Sequence, residues 1–149
     1  MTLRCLDDFV AGDVIDLGEV TLSQDDIVAF AERYDPQPFH TDPGAAATSI
    51  YGGLIASGWQ TACLFMRLLA TNLLNGSLSL GSGGLDDLRW LAPVHPGDRL
   101  SASIKIKKTR VSNSKPDRGI VTWRGSMRNQ DGVEVMTIDA TFMIGTGRS

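Results

Sequence analysis

An aspartate and a histidine lie five residues apart in the segment YDPQPFH, at Asp35 and His40. A carboxylate and an imidazole can share one water molecule, since one group takes a proton from the water while the other orients it. Pro36 and Pro38 exclude the residues before them from the helical region, which predicts a stiff, extended segment directly after a helix. The alternative is that Asp35 only ends that helix and His40 only bonds to nearby backbone.

A second candidate for chemistry is the start of a long predicted helix, at Ser57 and Gly58. The first amides of a helix lack partners inside the helix and lie at the positive end of its dipole. Because Gly58 has no side chain, a carbonyl oxygen could approach its N–H closely. Such a donor would stabilise the charge that develops on a thioester or another carbonyl. The alternative is that Ser57 only caps the helix and Gly58 only relieves crowding.

The helix that starts there is predicted to be the central element of the fold, from Ser57 to Asn75. Its sequence, SGWQTACLFMRLLATNLLN, has no proline and little polar surface, which predicts burial nearly all round. Ser57 and Gln60 match the S-x-x-Q pattern of a capping box. Cys63 is interpreted as a small buried hydrophobe. Trp59, along one side of the helix, is a candidate border of an acyl pocket.

Much of the rest of the chain has the period of two that is typical of strands. Strands are predicted at 13–20, 85–93, from 100 to the next turn, at 121–127 and at 136–144. The Gly/Ser-rich stretch 77–84 is predicted to be a connector. Long strands with short turns indicate an antiparallel sheet with one apolar face, and the long helix is the partner available to cover it. The predicted fold class is α+β, with residues 1–149 forming one domain in which the sheet wraps around the helix.

Composition and charge narrow the classes of function. The 149 residues are 42% hydrophobic and 21% charged, which is ordinary for a globular domain. A formal net charge of -3 argues against a nucleic-acid partner, because nucleic-acid-binding domains are usually basic. The sequence starts without the apolar run of a secretory signal, and polar residues interrupt the long helix as a membrane span. The two cysteines match no metal spacing. We expect a cytoplasmic protein with no membrane segment, metal or separate cofactor.

Basic residues concentrate between residues 105 and 128. Arg110, Lys115 and Arg118 lie near a predicted turn and are candidate contacts for the phosphates of coenzyme A. The alternative is that basic side chains in this region form the solvated face of the sheet. His95, in the turn VHPGD, is interpreted as a surface residue.

The run from residue 35 to residue 59, DPQPFHTDPGAAATSIYGGLIASGW, resembles the MaoC-like dehydratases, relatives of the (R)-specific enoyl-CoA hydratases. Their signature is D-x-N-P-x-H, followed by a segment of the type hydrophobic-A-H-G that opens the central helix. Asp35, Pro38 and His40 match the first motif, and Gly58 matches the glycine of the second. The later stretch LRWLAPVHPGD is also similar to the strand and turn that follow the helix in this family.

Two positions depart from the family's pattern. Gln37 replaces the usual asparagine, and Ser57 stands where many members have histidine. Neither change removes the Asp35–His40 pair. Gln37 is expected to move the loop slightly, and Ser57 to alter the polarity beside the thioester.

The resemblance implies a hot-dog fold, in agreement with the sheet-around-helix interpretation. It also implies a dimer with the active site near the subunit interface, and coenzyme A thioesters as substrates. Asp35 would activate water as a general base, His40 would hold that water and assist proton transfer, and the N–H of Gly58 would polarise the thioester carbonyl.

The reaction expected from the resemblance is the interconversion of a 2-enoyl-CoA and a 3-hydroxyacyl-CoA, with coenzyme A as part of the substrate. Two alternatives remain open: an acyl-CoA thioesterase of the same fold, and a non-catalytic acyl-CoA-binding subunit.

Overall fold

The structure, a computed structural model, describes residues 2–147 of the chain. Its elements are β1 (Val14–Thr21), α1 (Gln24–Tyr34), α2 (Pro38–Thr41), α3 (Pro43–Ala47), α4 (Gly58–Asn72), β2 (Ser79–Gly81), β3 (Leu85–Trp90), β4 (Arg99–Val111), β5 (Arg118–Arg128) and β6 (Glu134–Gly145). Single 3-10 turns lie at Leu6–Asp8 and Leu74–Gly76. The order of elements, with helices between the first strand and the others, agrees with the predicted α+β class.

All six strands belong to one antiparallel sheet, in the order β1-β4-β5-β6-β2, and β3 pairs with another part of β6. The alternation predicted for β4 is confirmed, because every second side chain is buried: Leu100, Ala102, Ile104 and Ile106. The apolar positions predicted for β6 are likewise buried: Met136, Ile138, Ala140, Phe142 and Ile144. One apolar face of the sheet therefore carries the core.

Helix α4 covers that face. Phe65 is buried and stacks on Trp123 of β5, with 5.8 Å between the ring centroids. A Cβ on Gly125 would lie 2.4 Å from the Phe65 ring, so the glycine allows the helix to approach the sheet closely. At the other end of α4, the Asn72 side chain donates to the carbonyl of Leu17 in β1. The helix is thus fixed to the sheet along its length.

The prediction for the long helix was wrong in two respects. The α-helix ends at Asn72 rather than Asn75, because Leu73 leaves the helical conformation and a 3-10 turn follows. The helix is also not buried all round in the single chain. Cys63, predicted to be buried, is exposed together with Trp59 and Met66.

Two other predictions of local structure need correction. The segment from Asp35 to His40 is extended only as far as Gln37, because Pro38 opens the short helix α2. A proline suits the first helical position, where its missing N–H has no helical partner to lose. The stretch 77–84, predicted to be a connector, contains β2. Within residues 2–147, no helix has the length and apolarity needed to cross a membrane.

Candidate active site

The turn between α1 and α2 brings the carboxylate and the imidazole together. Asp35 ends α1 with non-helical backbone angles, and Gln37 is extended before Pro38 begins α2. The single turn of α2 then carries His40 back toward the end of α1. His40 Nε2 lies 3.2 Å from Asp35 Oδ2. The pairing predicted from the sequence is present, although a helical turn and not an extended segment produces it.

The imidazole of His40 is held by the backbone of another segment. His40 is only 5% exposed, and its Nδ1 lies 2.7 Å from the carbonyl oxygen of Ile55. A carbonyl oxygen accepts hydrogen bonds but cannot donate them, so Nδ1 carries a hydrogen. Nε2 is consequently the nitrogen that can exchange a proton on the side of Asp35.

The carboxylate of Asp35 receives two further hydrogen bonds. Gln37 Nε2 donates to Oδ1 and Ser57 Oγ donates to Oδ2, each at 2.7 Å. Burial by itself raises the pKa of Asp35, but the bonds from Gln37 and Ser57 and the charge of His40 outweigh it and hold the pKa below its usual value. The two residues that depart from the family's motif therefore both bind the carboxylate and favour its charged form.

Gly58 is the first residue of α4 and supplies a free backbone donor. Ser57 Oγ caps the helix by accepting from Trp59 N at 3.3 Å, but within the described residues no acceptor lies within reach of the Gly58 N–H. The predicted capping box is not formed, because Ser57 Oγ accepts from Trp59 N and not from Gln60 N. The Gln60 side chain donates to the carbonyl of Asp26 in α1 and does not return to the helix start.

These groups border a cavity of about 390 Å³, here called the site cavity. Gln37, His40, Gly58 and Thr61 contribute its polar lining, and the remaining walls are apolar and aromatic, with Phe39, Tyr51 and Trp90 among them. Asp35 and Ser57 are not among the lining residues. Asp35 contacts the lining residues His40 and Gln37, and its side chain is 17% exposed.

Trp59, predicted to border an acyl pocket, is 59% exposed and does not line the site cavity. It lines a second cavity of about 220 Å³, here called the apolar cavity, which lies between α4 and the sheet. Phe65, Met66, Leu85 and Trp123 contribute to the same lining. Trp59 also contacts Trp90 edge-on, with 5.3 Å between the ring centroids.

The three predicted phosphate contacts lie elsewhere in the single chain. Arg110, Lys115 and Arg118 belong to the hairpin between β4 and β5. None of the three residues lines the site cavity. Arg118 is moreover paired with Asp117 at 2.9 Å.

Sequence reasoning assigned no role to Trp90 or to the carbonyl of Ile55. Trp90 Nε1 donates to the carbonyl of Gly58 at 2.8 Å, across 32 residues of chain. Neither contact has a local sequence signal, because each depends on how distant segments pack. The composition of LRWLAPVHPGD indicated a strand and a turn, but not what the indole would contact.

The model of the MaoC like domain matches residues 9–124, which include every group described at the site. The chain belongs to the MaoC-like family. The predicted family and the predicted hot-dog fold, a sheet around a central helix, are both confirmed.

Relatives of this MaoC-like chain include a hydratase and a protein without an assigned activity. The (R)-specific enoyl-CoA hydratase of Aeromonas caviae is 32% identical over 121 residues, covering 80% of this chain and 84% of that protein. An uncharacterised protein of Bacillus subtilis is 29% identical over 139 residues, covering 93% of this chain and 97% of that protein. Among solved structures, the MaoC-like dehydratase from Rhodospirillum rubrum has 38% identity and a TM-score of 0.87, covering 98% of this chain and 99% of that one.

Proposed function

We propose that this MaoC-like chain is a hydratase and dehydratase that interconverts a 2-enoyl-CoA and a 3-hydroxyacyl-CoA. The observation that carries the proposal is the combination of the Asp35–His40 pair and the unpaired amide of Gly58 at one cavity. A proton-transfer pair and an oxyanion donor are the two parts that water addition to an α,β-unsaturated thioester requires. The hydratase of Aeromonas caviae, a relative over most of the chain, supports this choice of reaction.

In the hydration direction, Asp35 takes a proton from a bound water. A carboxylate has about four acceptor positions, and Gln37 and Ser57 occupy two of them, which leaves one on Oδ1 for the water. The pKa of Asp35 lies below its usual value, and the carboxyl group is ionised at neutral pH, so the base is in its working form. His40 holds the same water through Nε2 while its Nδ1–H stays on the carbonyl of Ile55.

The water oxygen then forms a bond to the β-carbon of the thioester. The π electrons of the C=C bond move toward the carbonyl. The resulting enolate oxygen accepts a hydrogen bond from the N–H of Gly58. The proton held by the Asp35–His40 pair passes to the α-carbon, which completes the addition of water and restores the carboxylate. Dehydration of a 3-hydroxyacyl-CoA runs through the same steps in reverse. Oxyanion donors of this kind contribute on the order of 3 kcal/mol in comparable sites.

The test is the hydration of 2-enoyl-CoA substrates of several chain lengths, followed by loss of the ultraviolet absorbance of the conjugated thioester. We expect the wild-type chain to be active, and Asp35→Asn and His40→Ala to lower kcat/KM by about 10²–10⁴-fold. His95→Ala is the matched control, because His95 is half exposed and does not line the site cavity. This variant should keep wild-type activity.

Three outcomes would contradict the proposal. A wild-type chain that releases free thiol without consuming the double bond would be a thioesterase. Binding of acyl-CoA without turnover would indicate a non-catalytic subunit. Full activity of both Asp35→Asn and His40→Ala would remove the roles assigned to the pair.

We also propose that the chain works as a homodimer, with acyl-CoA as its ligand and with no nucleic-acid or membrane partner. Contacts of Arg110, Lys115 and Arg118 with the phosphates of coenzyme A stay a prediction. Because none of these residues lines the site cavity in the single chain, a second copy would have to bring them to the site.

A further inference from the structure

The indole of Trp90 occupies the space where a side chain at position 58 would be. An ideal Cβ on Gly58 would lie 2.4 Å from Cε2, 2.6 Å from Cδ2 and 2.7 Å from Nε1 of that indole. These distances are far inside van der Waals contact. Gly58 is also not one of the glycines with positive φ, so the backbone conformation itself does not require glycine. The glycine is needed because Trp90 lies against it.

The same indole binds the peptide that it covers. Trp90 Nε1 donates to the Gly58 carbonyl at 2.8 Å, while the N–H of Gly58 stays without an acceptor among the described residues. The first turn of a helix is usually where a helix frays, since its N–H groups have no helical partners. A side chain that both packs on Gly58 and bonds its carbonyl limits how far this residue can move.

We infer that Trp90 is a positioning residue that holds the Gly58 backbone at the wall of the site cavity. The inference rests on the proposed function for its catalytic consequence, since the Gly58 N–H is the proposed oxyanion donor. A displacement of about 1 Å in a reacting geometry can lower a rate by as much as 10²-fold. The contact between Trp90 and Gly58 itself does not depend on which reaction the chain catalyses.

Trp90 is suited to this role because other contacts fix it without making it part of the core. It is the last residue of β3, opposite Met136 in β6, and its ring meets Trp59 at an interplanar angle of 75°. Trp90 is nevertheless 44% exposed. A substitution there is expected to act on the first turn of α4 and to leave the buried core intact.

A double-mutant cycle on thermal stability tests the contact without any substrate. In the wild-type background, Gly58→Ala should lower Tm by about 3 °C or more, because its Cβ overlaps the indole. In the Trp90→Ala background, Gly58→Ala should leave Tm unchanged or raise it slightly, because alanine favours a helix more than glycine does. Gly76→Ala is the control, since a Cβ there meets nothing within 4 Å. An equal loss in both backgrounds would overturn the inference.

A kinetic measurement tests the positioning role. Trp90→Phe keeps an aromatic ring but removes the N–H donor, and it should lower kcat about 10-fold with KM within about twofold of wild type. A raised KM with unchanged kcat would show that Trp90 only binds substrate, and would overturn the inference. If the wild-type chain shows no hydration at all, the proposed function fails, and the stability cycle still decides whether Trp90 holds Gly58.

Discussion

At the scale of single residues, the two residues that depart from the family's motif both contact the carboxylate of Asp35. Gln37 and Ser57 differ from the usual residues of the motif, and each donates a hydrogen bond of 2.7 Å to Asp35. Hydrogen bonds to the charged form of a carboxyl group lower its pKa. The departures therefore favour the charged form of Asp35 and lower its pKa, at the expense of its strength as a base.

Substitution of Ser57 tests directly whether its hydroxyl lowers the pKa of Asp35. Ser57→Ala removes one hydrogen bond from the carboxylate, so the pKa of Asp35 should rise toward its usual value. Since hydration needs the ionised carboxylate, the acidic limb of the profile of kcat/KM against pH should move to higher pH. Loss of the helix cap should also lower the free energy of unfolding by about 1 kcal/mol.

Ser23→Ala is the matched control for this variant. Ser23 caps α1 by accepting from Asp26 N at 3.1 Å, and its hydroxyl has no bond to Asp35. It should cost a similar amount of stability without moving the acidic limb. An unchanged limb in Ser57→Ala would show that the serine is only a cap.

At the scale of elements, different parts of α4 contact different surroundings. Its first residue, Gly58, borders the site cavity, and Phe65 packs on the sheet. Trp59 and Met66 line the apolar cavity, which lies next to the first because Trp59 touches Trp90. The pair of tryptophans stands between the two cavities. From this arrangement we propose that Trp59, predicted to border an acyl pocket, limits the length of the acyl chain.

Trp59→Ala should therefore broaden the range of substrates. Without the indole, a longer acyl chain can leave the site cavity and enter the apolar cavity. The ratio of kcat/KM for an eight-carbon enoyl-CoA to that for a four-carbon one should rise about 10-fold. Arg67→Ala is the control, because Arg67 is exposed on α4 and lines neither cavity. An unchanged ratio in Trp59→Ala would rule out a role for Trp59 in chain length.

At the scale of the whole molecule, exposed apolar side chains gather on one side of the chain. Trp59, Met66 and Leu85 border the same cavity, and Trp90 adjoins Trp59. Nearby, β3 pairs only with β6 among the described strands, so its outer edge is open. Exposed edges and apolar patches of this kind are usually covered by a partner. The open edge of β3 and the exposed apolar side chains therefore support the proposed homodimer. A second copy on this surface would also bury the exposed side of α4, as the sequence predicted.

The charges of β3 fit pairing with a second copy. If two β3 strands met antiparallel with a two-fold axis at Leu88, Asp87 of each copy would face Arg89 of the other. Opposite charges at facing positions stabilise such a pair. The interface would be the same surface on both copies and would bury the exposed tryptophans.

Light scattering after size exclusion should accordingly give a mass twice that of the chain. Leu85→Asp places a charge in the proposed interface and should shift the equilibrium toward the monomer. Val10→Asp is the control, since Val10 is exposed in the loop before β1 and lines neither of these two cavities. A wild-type chain that stays monomeric at all concentrations, or a dimer unaffected by Leu85→Asp, would contradict this interface.

The sequence by itself determined the parts that depend on local signals. Alternating apolar residues in β4 and β6 defined their buried faces, and Ser57 marked the start of α4. Such patterns act within a few residues of backbone, which is why they can be read without a structure. The Asp35–His40 pair was predictable for the same reason, since only five residues separate the two side chains.

Tertiary structure alone decided what surrounds that pair. Ser57 reaches Asp35 across 22 residues, and Trp90 covers Gly58 across 32. Such contacts depend on the packing of α4 and β3 against the rest of the fold, and no local propensity encodes that packing. From the sequence, the glycine at position 58 was explained by the close approach of a carbonyl oxygen to its N–H, or alternatively by relief of crowding. The fold shows that the indole of Trp90 requires it, because a side chain and an indole cannot occupy the same space.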